Sequence, residues 1–148
     1  MSDVITLALD AMGGDDAPDI VIDGAAKVAR KRKNIRFIFF GDQARIKPLL
    51  AKHKILKNVS EIRHADDVIP ADMKPSVALR KGRKSSMRYA INAVADKEAD
   101  AIVSAGNTGA LMAISKFVLK TLPGITRPAI ASVMPTLKRN KGVVMLDL

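Results

Sequence analysis

Short apolar runs alternate with segments of helical spacing along the chain of 148 residues. The apolar runs predict six strands, at Val4–Leu9, Arg36–Phe40, Val59–His64, Asp100–Ala105, Pro128–Met134 and Gly142–Leu148. The intervening segments predict four helices, the first beginning near Pro18 and the others over Gln43–His53, Ser85–Glu98 and Asn107–Thr121. Strands that are apolar almost throughout and are separated by helices are typical of a parallel sheet covered on both faces.

This order of elements predicts an α/β fold, a three-layer α/β/α Rossmann-like arrangement with a doubly wound, mostly parallel sheet. The sequence contains no internal repeat and no linker, so residues 1–148 are expected to belong to a single domain. The last predicted strand ends at Leu148 with no helix after it. We therefore expect the chain to be the N-terminal portion of a longer α/β domain whose C-terminal half is absent.

Composition narrows the class of protein. The hydrophobic fraction of 48% is that of an ordinary globular chain. The absence of Cys excludes a disulfide scaffold, a zinc site with Cys ligands and a Cys nucleophile. No apolar run approaches the ~20 residues of a membrane span, and we expect a cytoplasmic protein.

The formal net charge of +10 is concentrated in one segment. Residues 27–57 contain eleven Lys and Arg but one acid, Asp42, whereas the rest of the chain is neutral. A basic segment indicates an anionic partner or a solvated helix face. Nucleic acid is not the expected partner, because the nearby Phe37, Phe39 and Phe40 belong to a predicted buried strand and cannot stack on bases.

The turn after the first strand reads Asp10-Ala11-Met12-Gly13-Gly14-Asp15. Paired glycines let a backbone approach a ligand closely, and carboxylates flank them here. Because ligands of open parallel sheets bind outside the carboxyl ends of the strands, the turn is a candidate site. The alternative is a tight strand–helix turn in which an Asp caps the helix.

A second turn, Ser104-Ala105-Gly106-Asn107-Thr108-Gly109, leads from a strand into a helix. Free amide groups at a helix start bind phosphate or carboxylate, and Ser104, Asn107 and Thr108 can add side-chain hydrogen bonds. Capping of the helix by Asn107 or Thr108 is compatible with this role. Within that helix the stretch Ala110–Leu119 is polar only at Ser115 and Lys116, which predicts that it is deeply buried.

Further cations are candidates for binding phosphate near the same edge, although charge runs are commonly solvated. They are Arg80, Lys81, Arg83, Lys84, Arg88 and Arg127. The dinucleotide fingerprint, the P-loop and the nucleophile elbow are all absent. His53 and His64 lack metal-ligand spacing, so we expect no metal and no cofactor.

Five strings resemble the PlsX family, the fatty acyl-[acyl carrier protein]:phosphate acyltransferases of bacterial phospholipid synthesis. They are residues 10–15, Ser-Ser-Met-Arg-Tyr-Ala at 85–90, 104–110, Gly-Ile-Thr-Arg-Pro-Ala at 124–129 and the closing Met-Leu-Asp-Leu. The resemblance is collinear over the whole chain, and family members are roughly twice as long. It implies transfer of a fatty acyl group from acyl carrier protein to inorganic phosphate, which gives acyl phosphate.

The residues suit that reaction, because phosphate is already a nucleophile at neutral pH and positioning should dominate. The catalytic candidates are Asp10, Asp15 and Asn107. The candidates for phosphate binding are Gly13, Gly14, Ser104, Gly106, Asn107, Thr108, Gly109, Arg88 and Arg127. Part of the catalytic set is expected in the missing half.

The resemblance also implies acidic acyl carrier protein as a partner, a homodimer, and work at the membrane surface or beside a membrane-bound downstream acyltransferase. The basic segment could dock the carrier or the membrane, and its candidates are Lys31, Lys33, Lys52 and Lys54. Two alternatives stay open: a short-chain phosphate acyltransferase that uses acyl-coenzyme A, and a non-catalytic α/β domain that binds anions or nucleic acid.

Overall fold

The computed structural model describes residues 4–138 and 141–147. The strands are β1 (Ile5–Asp10), β2 (Ile35–Gly41), β3 (Ser60–His64), β4 (Ala101–Val103), β5 (Ile130–Pro135) and β6 (Gly142–Asp147). The helices are α1 (Asp19–Lys31), α2 (Gln43–Ala51), α3 (Pro75–Lys81), α4 (Ser86–Ala95) and α5 (Thr108–Leu119), with single 3₁₀ turns at Lys54–Leu56 and Gly82–Lys84.

Strands β1 to β4 form one parallel sheet in the order β3-β2-β1-β4. The chain passes outward from β1 through β2 to β3, then crosses back to place β4 on the other side of β1. This reversal of direction makes the sheet doubly wound and confirms the predicted fold class.

The central strand β2 shows why its sequence is apolar on both faces. Phe37 and Phe39 pack with α1 and α2 residues such as Ile22 and Ile46. Ile38 and Phe40 alternate with them and pack on the opposite face with Ala90 of α4. Because successive side chains point to opposite faces, a strand covered by helices on both sides needs no polar positions.

Two details of the first helices differ from the prediction. Helix α1 begins at Asp19 with Pro18 at the N-cap and no side-chain cap, so the alternative of an Asp that caps this helix is wrong. Helix α3 lies between the third predicted strand and the predicted helix Ser85–Glu98, where the sequence pattern predicts no helix. Its Pro75 occupies the first turn, where the missing N–H of proline has no helical partner to lose.

The last two strands form a separate antiparallel pair, so the prediction of six strands in one sheet was wrong for β5 and β6. The connection over residues 136–141 is the reason, since a parallel crossover needs a dozen residues or more. Every residue of β5 is exposed.

Helix α5 is less buried than its apolar sequence predicted. Ala110 and Ile114 are buried, whereas Met112, Phe117 and Leu119 on its outer side are exposed. The helix packs on α3 and α4 along one face, and nothing in the described part of the chain covers the other. Within residues 4–138 and 141–147 no helix is both long and apolar enough to cross a membrane.

Candidate functional site

The carboxyl ends of β1 and β4 mark the point where the sheet reverses direction. The turn after β1 leads to α1 on one face, and the turn after β4 leads to α5, which packs with α4 on the other. The two turns therefore diverge and leave a crevice between them, which is where open α/β sheets bind ligands. Both glycine-containing turns singled out from the sequence lie here.

Asp10, the last residue of β1, is the buried polar centre of this crevice, with 2% of its surface exposed. Its Oδ1 accepts a hydrogen bond of 2.6 Å from the Ser86 hydroxyl. Its Oδ2 accepts one of 2.7 Å from the Ser104 hydroxyl. One carboxylate thus joins β1, the start of α4 and the turn after β4, and its donors are hydroxyl groups rather than cations.

Ser104 also holds the backbone of its own turn in place. Its oxygen accepts the Gly106 N–H at 3.1 Å while its hydroxyl hydrogen goes to Asp10. Gly13 packs directly against the pair: a Cβ at this position would lie 2.5 Å from Asp10 Oδ2 and 2.9 Å from Ser104 Oγ. Glycine is required there by lack of space, which ties the first turn to the second.

Asn107 uses both ends of its side chain within the protein. Its Oδ1 caps α5 by accepting the Ala110 N–H at 2.9 Å. Its Nδ2 lies within hydrogen-bonding distance of the carbonyl oxygens of Pro70, Ala71 and Met73, at 3.2, 3.0 and 2.8 Å. Asn107 therefore fixes the 70–73 loop against the start of α5.

The first two amide groups of α5 remain free of acceptors within the described residues. They are the N–H groups of Thr108 and Gly109, because the cap engages Ala110 and the next amide, Leu111, bonds to the Asn107 carbonyl. Free N–H groups at a helix start carry partial positive charge. This arrangement can bind an anion without any cationic side chain.

A cavity of about 340 Å³ opens between the two turns and the 68–71 loop. From the first turn it is lined by Met12, Gly14 and Asp15, and from the second by Ala105, Gly106 and Asn107. Gly14 has a φ of +104°, a backbone conformation that residues with a side chain rarely adopt. Asp15 is exposed and supplies a carboxylate at the cavity wall.

The predicted cations do not line this cavity. Arg88 lies on α4, donates from Nε to Asn92 Oδ1 at 3.1 Å, and places its guanidinium 5.8 Å from the centre of the Phe117 ring. Arg127 is exposed in the segment between α5 and β5. The structure thus brings together the predicted glycines, Asp10, Asp15, Ser104 and Asn107, with Thr108 and Gly109 following directly, and it leaves both arginines outside.

Ser86 is the site residue that sequence reasoning missed. A serine at the start of the predicted helix Ser85–Glu98 favours a helix cap, and Ser85 does cap α4 by accepting the Arg88 N–H at 3.2 Å. One serine is enough to cap a helix. The second serine beside it was therefore the sequence signal that Ser86 has another role. The 68–73 loop was also missed, because its approach to Asn107 depends on tertiary packing.

The predicted docking lysines lie near the edge of the sheet at which the strands begin, opposite to the cavity. Lys31 ends α1, Lys33 precedes β2, and Lys52 and Lys54 follow α2. All four are exposed. Because each helix runs back from the carboxyl ends of the strands, these positions are separated from the cavity by the length of the sheet.

Comparison with known proteins places these features in a family. Residues 5–148 match the model of the family described as "Fatty acid synthesis protein", and the chain belongs to this family. It is 60% identical over 149 aligned positions to a protein of Rhodospirillum centenum named phosphate acyltransferase, covering 100% of this chain and 41% of the relative. Proteins of the same name from Paramagnetospirillum magneticum and Rhodospirillum rubrum are 51% and 54% identical, each over 100% of this chain and 42% of the relative. The chain thus spans about two fifths of the length of these relatives.

The bond between Asp10 and Ser104 leads to a stability prediction. We expect Ser104→Ala to lower the free energy of unfolding by about 1–3 kcal/mol, because it removes a donor from a buried carboxylate and an acceptor from the Gly106 amide. In the double variant with Asp10→Asn, the loss should be smaller than the sum of the single losses by about 1 kcal/mol. Urea unfolding followed by far-ultraviolet circular dichroism measures these values, with Ser132→Ala in the exposed strand β5 as the control. Strictly additive losses would contradict the coupling.

Proposed function

We propose that the chain forms the N-terminal portion of an α/β acyltransferase domain that transfers a long-chain fatty acyl group from acyl carrier protein to inorganic phosphate. The observation that carries the proposal is the pair of free amides at the start of α5, beside the cavity at the switch point of the sheet. Support also comes from family membership and from relatives named phosphate acyltransferase.

The proposed reaction is a substitution at the thioester carbonyl carbon. A phosphate oxygen attacks this carbon, the carbon–sulfur bond breaks, and the products are an acyl phosphate and the free thiol of the carrier. The proton lost by phosphate ends on sulfur. Since phosphate needs no activated side chain, the protein contributes by holding the anion and by stabilising the charge that develops on the carbonyl oxygen.

In this scheme the Thr108 and Gly109 amides donate to phosphate or to the developing oxyanion. Asp10 and Ser104 do not reach the substrate; they hold the turn that presents the amides. Asn107 holds the 70–73 loop as a second wall of the cavity. Asp15 orients the bound phosphate before the reaction by accepting a hydrogen bond from its hydroxyl group.

Among the residues that the structure describes, no cationic side chain lines the cavity, which is consistent with these roles. Helix-terminal amides carry their partial charge without a flexible side chain and are already oriented before the substrate enters. Arg88 and Arg127 are therefore not assigned to phosphate in the described part of the chain.

The position of Thr108 permits a sharp test. Thr108 is the first residue of α5, where proline is favoured, and Asn107 before it has the extended conformation that proline requires. Thr108→Pro therefore removes the N–H with little cost to the helix, whereas Thr108→Ala removes the side-chain hydroxyl and methyl groups and keeps the N–H. We expect the proline variant to lower the rate of acyl phosphate formation by about 10²–10³-fold relative to the alanine variant.

The measurement is formation of acyl phosphate from acyl carrier thioester and phosphate, made with the corresponding changes in the full-length Rhodospirillum centenum relative. Thermal unfolding of both variants provides the control for folding. Equal rates in the proline and alanine variants would contradict the role of the amide. Activity with acyl-coenzyme A but not with acyl carrier would instead favour the short-chain alternative.

The lysines at the other edge of the sheet support a separate proposal, that they dock the acidic carrier protein. Lys54 lines an open groove of about 690 Å³ together with Lys47 and Lys57, which gives a concave basic surface. Strand β1 has six residues, so this edge lies about 20 Å from the cavity at ~3.3 Å per residue. A carrier docked there has to extend its thioester along the sheet.

Charge reversal tests the docking surface. Changing Lys31, Lys33, Lys52 and Lys54 to Glu should raise the KM for acyl carrier at least about tenfold at low salt and leave kcat unchanged, because the surface acts on association rather than on chemistry. The effect should shrink at high salt. The control reverses four other exposed lysines, Lys97, Lys116, Lys138 and Lys141. Equal KM values for the two variants would contradict docking at this edge.

The homodimer, the cytoplasmic location and the contact with a membrane surface, or with a membrane-bound downstream acyltransferase, stay predictions. The homodimer and the membrane contact derive from the family resemblance alone, and the cytoplasmic location derives from the lack of a long apolar run in the sequence. The exposed apolar side chains of β5 and β6, such as Val133 and Val144, are surfaces on which a further protein segment or subunit could pack.

A further inference from the structure

Three arginines converge on a cleft on the outer side of α3, α4 and α5. The cleft has a volume of about 310 Å³ and is lined by Leu79, Arg80, Arg83, Arg88, Asn92 and Phe117. None of these residues lines the cavity between the two glycine turns. The arginine cleft is therefore a separate feature of the molecule, and the proposed acyl transfer makes no use of it.

Hydrogen bonds fix two of the arginines by one nitrogen each. Arg80 Nε donates to the Ser76 carbonyl at 3.3 Å, and Arg88 Nε donates to Asn92 Oδ1 at 3.1 Å. Each bond holds the side chain in place and leaves the terminal nitrogens of the guanidinium for another acceptor. Arg83 joins them from the 3₁₀ turn between α3 and α4.

No carboxylate balances these charges among the described residues that line the cleft. The ion pairs in the described part of the chain involve His53, Arg63 and His64, none of which lies in the cleft. Lys120 adds a further cation, since its Nζ lies 5.1 Å from the centre of the Phe117 ring. Like charges held close together are stabilised when an anion binds between them.

We propose that the arginine cleft binds a small phosphomonoester, with its phosphate on the guanidinium groups and its organic part against Leu79 and Phe117. Guanidinium forks match the oxygens of phosphate and give it more than one hydrogen bond from each arginine. The volume lies at the small end of the range for ligand cavities, which fits a small molecule rather than a folded partner. The two apolar side chains provide the surface that inorganic phosphate would leave unused.

The test titrates the 148-residue chain with phenyl phosphate and, separately, with inorganic phosphate. Nuclear magnetic resonance follows the side-chain Nε–H signals of Arg80, Arg83 and Arg88. We expect these signals to shift as either probe is added until the site is saturated. We also expect phenyl phosphate to bind more tightly than inorganic phosphate. Arg83→Gln should weaken phenyl phosphate binding by about tenfold, the value of one charge-assisted hydrogen bond.

Two further variants separate the contribution of guanidinium geometry to the affinity from that of positive charge. Arg83→Lys keeps the charge but loses the fork geometry, and should bind with intermediate affinity. Arg30→Gln removes a charge from the exposed side of α1 and should change the affinity less than twofold. Thermal unfolding of all variants checks that the fold is intact.

Equal affinities in Arg83→Gln and Arg30→Gln would overturn the proposal, and so would equal binding of the two probes. Shifts confined to the backbone amides of Thr108 and Gly109 would also overturn it, while leaving the proposed acyl transfer untouched. Conversely, shifts in the arginine signals alone would support the cleft and count against phosphate binding at the start of α5.

Discussion

The buried carboxylate of Asp10 is the constraint on which the site depends. A charged group with 2% exposure is tolerated when hydrogen bonds replace its hydration, and the hydroxyls of Ser86 and Ser104 do so here. Because these serines belong to different elements, the same two bonds set the position of α4 and of the turn before α5 relative to β1. The free amides of α5 therefore have a fixed direction before any ligand arrives.

The sequence allowed prediction of the sheet and of both glycine turns, because apolar strands and glycine pairs are local signals. The contact between Asp10 and Ser86 joins residues 76 positions apart and depends on how α4 packs, which no local pattern encodes. The orientation of Arg88 toward Phe117 is likewise decided by packing. The antiparallel pairing of β5 and β6 was within reach, since their short connection excludes a parallel crossover.

Positive charge is distributed over surfaces that differ in position and chemistry. The lysine-rich edge presents exposed ammonium groups around an open groove, which suits long-range attraction of an acidic protein. The arginine cleft holds guanidinium groups beside the apolar side chains of Leu79 and Phe117, which suits one small anion. The start of α5, beside the cavity between the turns, presents free backbone amides instead of cationic side chains. A net charge of +10 thus says little about the chemistry until its position is known.

The central claim is that Asp10 and Ser104 position the α5 amides for phosphate. The most direct test is a titration with inorganic phosphate that follows the backbone amide signals of Thr108 and Gly109 in the unmodified chain and in Ser104→Ala. The account predicts saturable shifts of both signals, with an affinity at least about tenfold lower in the variant. Phosphate binding that leaves these signals unmoved, or that is equally tight in the variant, would contradict it.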